Sequence, residues 1–173
     1  MAVAFASQPA QARTKKLVAI DELCRRLRSE FIEAQPAIFS GPNPWVPLER
    51  APSRLREGTL AYVYSEGPLT RWVVLLIEGP HHAWSETVNY FFASNGQLLK
   101  RERYLEDVTS NTALEENRYY ENGELLNRST GHHALKSGHE NSDQFNDQDA
   151  PEFISVDDLP FPVAPDVWRG VSL

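Results

Sequence analysis

The sequence has one cysteine and five histidines in 173 residues, and no apolar run in it is long enough to form a membrane-spanning helix. A single cysteine excludes an internal disulfide framework and a cysteine-rich zinc site. Because a spanning helix needs about 18 consecutive apolar residues, we expect a soluble protein without a membrane span. Basic residues are also few: 17 Lys and Arg stand against 24 Asp and Glu. The net charge of −7 argues against nucleic acid as a partner.

Sequence motifs of several enzyme classes are missing as well. The chain contains no Gly-x-Ser-x-Gly of serine hydrolases, no Gly-x-x-x-x-Gly-Lys-Ser/Thr phosphate loop and no Gly-x-Gly-x-x-Gly dinucleotide motif. The histidine and cysteine spacings that are typical of zinc sites are also missing. We therefore predict no cofactor, no metal site and no catalytic residue, which favours a function other than catalysis.

Residues 15–34 show the three- and four-residue spacing of apolar side chains that is typical of an amphipathic helix. The apolar stripe of this helix consists of Leu17, Ile20, Cys24, Leu27 and Phe31. Pro36 follows and is expected to end the helix, because proline has no backbone N–H to donate. Cys24 lies within the stripe, where we expect a buried and unreactive thiol.

From residue 59 onward, apolar and polar residues alternate in the way that indicates β-strands. The pattern predicts six strands, over residues 59–64, 71–78, 86–93, 97–105, 114–120 and 124–129, of which 71–78 is apolar on both faces, as expected of a central strand. The preceding segment, residues 35–58, holds five prolines and predicts an irregular connection. The sequence therefore predicts an α+β fold, in which the N-terminal helix packs on a twisted antiparallel meander of about six strands. We expect the sheet to be apolar towards the helix and polar on its other face.

Two Asn-Gly pairs, at residues 95–96 and 122–123, each separate two of the predicted strands. Both residue types tolerate a positive φ, so an Asn-Gly pair between alternating segments indicates a hairpin turn. The strings that begin at the two pairs resemble each other over seven residues and lie 27 residues apart. Two copies are too few for a solenoid, which needs about three stacked units.

The register of each hairpin depends on the length of its loop. In the first hairpin, a three-residue loop with a glycine bulge places Tyr90 opposite Lys100, whereas a two-residue loop places it opposite Arg101. In the second hairpin, the longer loop pairs Glu116 with Arg128. This pairing of opposite charges favours the longer loop, and we expect it in both hairpins.

The charge distribution divides the chain into four parts. Acidic residues accumulate after Lys136 while apolar residues become rare, and such segments cannot bury enough surface to offset the entropy of ordering. The expected parts are a flexible N-terminus or signal-peptide remnant at 1–14, an α+β domain at 15–129, an acidic and disordered linker at 130–150, and an extended Pro-rich segment packing on the domain at 151–173.

The first residues of the chain leave two localisations open. Ala10-Gln11-Ala12 fits the small-x-small rule for signal-peptidase cleavage, although a basic n-region and a full apolar h-region are missing. If residues 1–12 are a truncated signal peptide, the protein is periplasmic or secreted. Without such a signal, the protein is cytoplasmic.

Candidate binding residues lie near the predicted break between two strands. His81 and His82 precede Trp84 there, and Tyr90 follows on the next strand, so we predict these four as ligand-binding residues. The sequence favours a binding or interaction module that presents a sheet face or edge to a protein partner. One alternative is a carrier whose cupped sheet holds a small apolar ligand. A second alternative is a small hydrolase that uses His81 and His82. The oligomeric state stays open.

Overall fold

The computed structural model describes residues 10–55, 57–135 and 151–161, and within them it shows one α-helix and one antiparallel sheet of eight strands in the order β2-β1-β3-β4-β5-β6-β7-β8. The helix is α1 (Ala10–Phe31), and the strands are β1 (Ala37–Gly41), β2 (Val46–Leu48), β3 (Gly58–Glu66), β4 (Leu69–Glu78), β5 (Trp84–Phe92), β6 (Leu98–Asp107), β7 (Thr112–Glu121) and β8 (Glu124–Ala134). From β3 onward each strand pairs with the next one along the chain, so the sheet is a meander.

The α+β class and the antiparallel sheet are confirmed, but the predicted number of strands is too small. The two additional strands, β1 and β2, lie in the Pro-rich segment that predicted an irregular connection. They have five and three residues, which is too short for a clear alternation, and β2 contains Pro47 at its centre. The helix begins at Ala10, five residues earlier than its apolar stripe predicts. β8 continues to Ala134, so residues 130–134, which were predicted to begin the disordered linker 130–150, form part of a strand, and residues 136–150 lie outside the described residues.

Helix α1 covers one face of the sheet, which we name the helix face. Cys24 and Leu27 of the helix are buried against Phe91 of β5 and Tyr119 of β7. This packing agrees with the apolar stripe read from the sequence, because residues at three- and four-residue spacing share one side of a helix.

Ion pairs surround this apolar contact. Lys100 of β6 is buried, and its Nζ lies 2.6 Å from Asp21 Oδ1 of the helix and 2.8 Å from Glu102 Oε1. Burial alone would lower the pKa of Lys100, but the hydrogen bonds to Asp21 and Glu102 raise it above its ordinary value. Arg28 of the helix also pairs with Glu102. The helix is therefore fixed on the sheet by charges as well as by apolar packing.

The opposite face carries the larger apolar cluster, and the expectation of a polar face there is wrong. Residues 151–161, which we name the covering segment, lie on this face, which we name the segment face. Phe161 stacks on Phe39 of β1 with ring centroids 5.0 Å apart. The segment also joins the first Asn-Gly hairpin, because Leu98 N donates to Ile154 O at 2.8 Å and Val156 N donates to Gly96 O at 2.9 Å. The remainder of the predicted Pro-rich segment, residues 162–173, lies outside the described residues.

The register of the first hairpin differs from the expected one. Tyr90 faces Arg101 rather than Lys100. Near the turn, Phe92 faces Leu98, so the loop is three residues long as expected. A bulge at Leu99 then shifts the pairing by one residue, because an extra residue on one strand moves every later partner.

The second hairpin was also predicted wrongly. Glu121 faces Glu124 across a two-residue turn, and Glu116 faces Thr130 instead of Arg128. Here the bulge lies at Leu126, 27 residues after the bulge at Leu99. Both bulged leucines pack in the apolar cluster of the helix face. The internal repeat of the sequence therefore corresponds to a repeated bulge under α1.

Substitution of Gly96 measures how tightly the covering segment packs on the first hairpin. A Cβ at Gly96 would lie 2.9 Å from Val156 Cγ2, whereas a Cβ at Gly67 meets nothing within 4 Å; both glycines have positive φ. We expect Gly67→Ala to lower the free energy of unfolding by about 1 kcal/mol through backbone strain alone. Gly96→Ala should cost about 1 kcal/mol more, because the methyl group also crowds Val156. Urea denaturation of both variants checks the difference, and equal losses would contradict the packing.

Candidate functional site

The two edge strands of the sheet differ in length and in how well they are protected against pairing with another strand. One edge is β2, which has three residues and contains Pro47. Short strands and prolines are common devices against unwanted strand pairing, because proline cannot donate a ladder hydrogen bond. The other edge is β8, which has eleven residues, contains neither proline nor lysine, and is mostly exposed. Within the described ranges, β8 pairs only with β7.

The regular part of β8 extends over residues 127–134, where its register with β7 is constant. Side chains at the centre of this stretch are small: Ser129, Thr130 and Gly131 are all exposed. Successive backbone N–H groups of an edge strand point alternately to its paired neighbour and to the open side. About four residues of this stretch therefore direct their N–H and C=O groups away from β7.

Three arginines lie directly opposite one another on the segment face, and we name them the arginine row. Arg101 of β6 faces Arg118 of β7, and Arg118 faces Arg128 of β8. Arg101 is fully buried, whereas the side chain of Arg128 is 49% exposed. Like charges directly opposite one another destabilise a sheet, so the row requires carboxylates beside it.

Glu116 supplies the main carboxylate of the row. Its Oε2 lies 2.9 Å from Arg118 Nε and 3.3 Å from Arg101 Nη1, and its Oε1 lies 2.5 Å from Arg128 Nη2. Glu116 is itself 2% exposed. One buried carboxylate therefore contacts three guanidinium groups, which hold it from three strands. Beside the row, Arg103 Nε donates to Glu86 Oε1 at 2.5 Å in a second buried pair.

The covering segment adds further polar contacts beside the row. Arg118 Nη1 lies 3.5 Å from Glu152 Oε2, and the Tyr120 hydroxyl donates to the same carboxylate. Tyr90 OH donates to the Pro151 carbonyl at 2.5 Å. Burial, followed by the hydrogen bond to Glu152, raises the pKa of Tyr120 above its ordinary value. The start of the covering segment is thus held by polar contacts and its later part by apolar ones.

Three of the four predicted binding residues lie together at one end of β4 and β5. His81 and His82 are exposed, and both have positive φ, 56° and 57°. His82 Nδ1 lies 2.6 Å from Glu78 Oε1. Trp84 packs over Gly79, where a Cβ would lie 2.4 Å from the indole ring. His81, His82 and Trp84 therefore form a small cluster at the surface.

Tyr90, the fourth predicted binding residue, lies apart from this cluster. It is six residues beyond Trp84 on the same strand, or roughly 20 Å away at the usual rise of a strand. Its side chain is fully buried on the segment face and contacts the Phe153 ring at a centroid distance of 5.2 Å. Burial raises the pKa of Tyr90 above its ordinary value. The structure does not bring it together with the histidines.

The histidines and acidic residues of the described part of the chain do not converge on a common point. Among residues 10–55, 57–135 and 151–161, no group of three or more His, Cys, Asp or Glu side chains could hold a metal ion. No helix in that part is long and apolar enough to cross a membrane. A groove of about 270 Å³ on the helix face has a polar lining that includes Asn89, Glu102 and Asn117.

The thiol of Cys24 provides a test of the helix packing. Burial raises the pKa of Cys24 to about 12, and the side chain is 1% exposed. Since the thiolate is the reactive form, we expect the folded protein to resist a thiol reagent at pH 8. Labelling should become complete within minutes in denaturing urea. Rapid labelling of the folded protein would contradict the placement of α1.

Sequence reasoning missed the arginine row, and it predicted a sheet face or edge as the binding surface without identifying β8. Arg101 and Arg128 end the two Asn-Gly strings, and Arg118 lies in a charged strand, so alternation alone indicated a solvated surface. An exact register was needed to place the three arginines opposite one another, and the bulges prevented its prediction. Comparison with protein-family models, with curated proteins and with solved structures finds no match to this chain.

Proposed function

We propose that the protein is a non-enzymatic binding module that takes up an extended segment of a protein partner as an additional strand along β8. The observation that carries this proposal is the contrast between the two edges of the sheet. β2 is short and contains proline, whereas β8 is long, exposed and free of proline and lysine. Addition of a partner strand to an open edge is a common mode of peptide recognition, because backbone hydrogen bonds supply the affinity.

The packing of the sheet supports this proposal over a carrier of apolar ligands. Both faces carry buried apolar clusters, under α1 and under the covering segment. In the described part of the chain, the strand order ends at β2 and β8, which do not pair with each other. A carrier needs a pocket of about 300 Å³ or more with a mainly apolar lining. The groove with the polar lining is smaller than that, about 270 Å³, and the larger hollows of about 440 and 600 Å³ lie at the surface, each lined by residues of a single short chain segment.

The hydrolase alternative finds less support in the geometry. His82 contacts the carboxylate of Glu78, but the imidazole is 42% exposed at the surface. Catalytic pairs usually lie in clefts from which water is excluded, since electrostatic interactions are stronger there. The histidine cluster therefore ranks below the β8 edge as a functional site.

A peptide selection tests the proposed function. The full chain is used to select from a library of random ten-residue peptides displayed on phage, and the enriched peptides are synthesised. In a bound strand, every second N–H group of the peptide points to β8 and the others point to solvent. N-methylation of the groups that point to β8 should abolish binding, whereas N-methylation of the groups that point to solvent should not. Enrichment of no peptide, or equal effects of both methylated sets, would overturn the proposal.

Proline substitutions at two adjacent residues of β8 give a matched pair. The N–H groups of Ser129 and Thr130 point in opposite directions, one to β7 and one to the open side. We expect one proline variant to unfold more easily by about 2 kcal/mol or more, because it loses a ladder hydrogen bond. The other variant should keep its stability and lose the binding of the selected peptide. A stable variant that still binds the peptide would contradict strand addition at β8.

A further inference from the structure

We infer that the partner strand carries an aspartate or glutamate opposite Arg128, so that the arginine row selects an acidic residue at one position of the partner. This inference rests on the proposed function and adds to it the chemistry of the partner. The arginine row extends across β6, β7 and β8 and ends at the open edge of the sheet. A strand added to β8 would therefore continue the row by one position.

The position of Arg128 allows it to contact a second carboxylate. Its Nη2 lies 2.5 Å from Glu116 Oε1, and its side chain is 49% exposed. A guanidinium group has five N–H donors and can bind carboxylates on more than one side. The Cβ atoms of directly opposite residues in paired strands are about 4.5–5.5 Å apart. An acidic side chain on the added strand thus reaches the guanidinium group without a change in the sheet.

The charges around Arg128 favour an acid over a base at this position. Residues 125–134 contain no Asp or Glu, so β8 itself places no carboxylate beside Arg128. Glu152 contacts Arg118 in the middle of the row, away from the edge. A lysine or arginine on the added strand would face Arg128 directly, and like charges in that arrangement destabilise the pairing. The other residues of β8 on this face, Thr130 and His132, carry no negative charge.

Parallel selections from the same random ten-residue library test the inference. Peptides enriched by the wild-type chain should share Asp or Glu at one position of an alternating pattern. Selection with Arg128→Glu should enrich Lys or Arg at that position, and Arg128→Gln should remove the preference. Ser129→Glu is the matched control, because residue 129 is exposed on the same strand but points to the other face; with this variant the acidic preference should remain.

Binding of a synthetic selected peptide gives the size of the effect. Replacement of its acidic residue by the amide should weaken binding by about threefold to fivefold, the upper part of the range of a cross-strand ion pair at a surface. Replacement by lysine should weaken binding further, and Arg128→Glu should restore the binding of the lysine peptide. If the enriched peptides bind along β8 but show no preference for an acidic residue, the inference is overturned and the proposed function remains. If no peptide adds to β8, both are overturned.

Discussion

Replacement of Glu116 by glutamine is expected to lower the free energy of unfolding by about 3 kcal/mol or more. The carboxylate of Glu116 contacts Arg101, Arg118 and Arg128, and both Glu116 and Arg101 are almost completely removed from water. Glutamine has the same shape but no charge. The three guanidinium groups, which lie opposite one another, would then repel each other with one carboxylate fewer between them. Chemical denaturation followed by tryptophan fluorescence measures the loss.

Glu115→Gln is the matched control for this prediction. Glu115 is the neighbouring residue on β7, but its side chain is 59% exposed, and it lies 3.9 Å from His133 Nε2. Because a surface ion pair contributes about 0–1 kcal/mol, this variant should stay close to the wild-type stability. If the two variants unfold at the same denaturant concentration, Glu116 does not hold the arginine row together.

Phe161→Ala should also cause a large loss, of about 3 kcal/mol, because it removes a buried aromatic ring from the segment face. Phe161 is 4% exposed, stacks on Phe39, and meets the edge of Trp45 at a centroid distance of 4.9 Å. Leu125→Ala serves as a comparison, since Leu125 is 55% exposed and should change stability by less than about 0.5 kcal/mol. Thermal or urea unfolding of both variants provides the measurement.

This second prediction separates two descriptions of the sheet. A sheet with one polar, solvated face would lose little stability with Phe161, because the ring would have no buried partner there. A loss of less than about 1 kcal/mol would therefore favour the polar face that alternation predicts, and it would contradict the apolar cluster under the covering segment.

The sequence predicts the parts of the fold that depend on long, regular patterns. The spacing of Leu17, Ile20, Cys24 and Leu27 is long enough to predict α1, and the alternation after residue 59 predicts the six strands of the meander. The short strands β1 and β2 could not be predicted, because three to five residues among prolines carry little periodicity. The coverage of the segment face depends on contacts between distant parts of the chain, which alternation does not specify.

The candidate site was harder to predict than the fold, because it depends on register. A shift of one residue moves every side chain of a strand to the other face or to another partner. The bulges at Leu99 and Leu126 produce such shifts, and they leave no signal in an Asn-Gly motif. His81 and His82 were predicted as binding residues because they are adjacent in the sequence, but two adjacent histidines do not by themselves form a site. The arginine row becomes visible only when three strands are aligned.

Backbone amide exchange along β8, measured by NMR with and without a selected peptide, tests the central claim most directly. In the unbound protein, the outward N–H groups of residues 127–134 should exchange quickly, while those bonded to β7 exchange slowly. With a saturating peptide, the outward groups should become protected at alternate residues, since each then donates to the added strand. Unchanged exchange at residues 127–134, with protection at the Pro80–His82 loop or elsewhere, would contradict binding along β8.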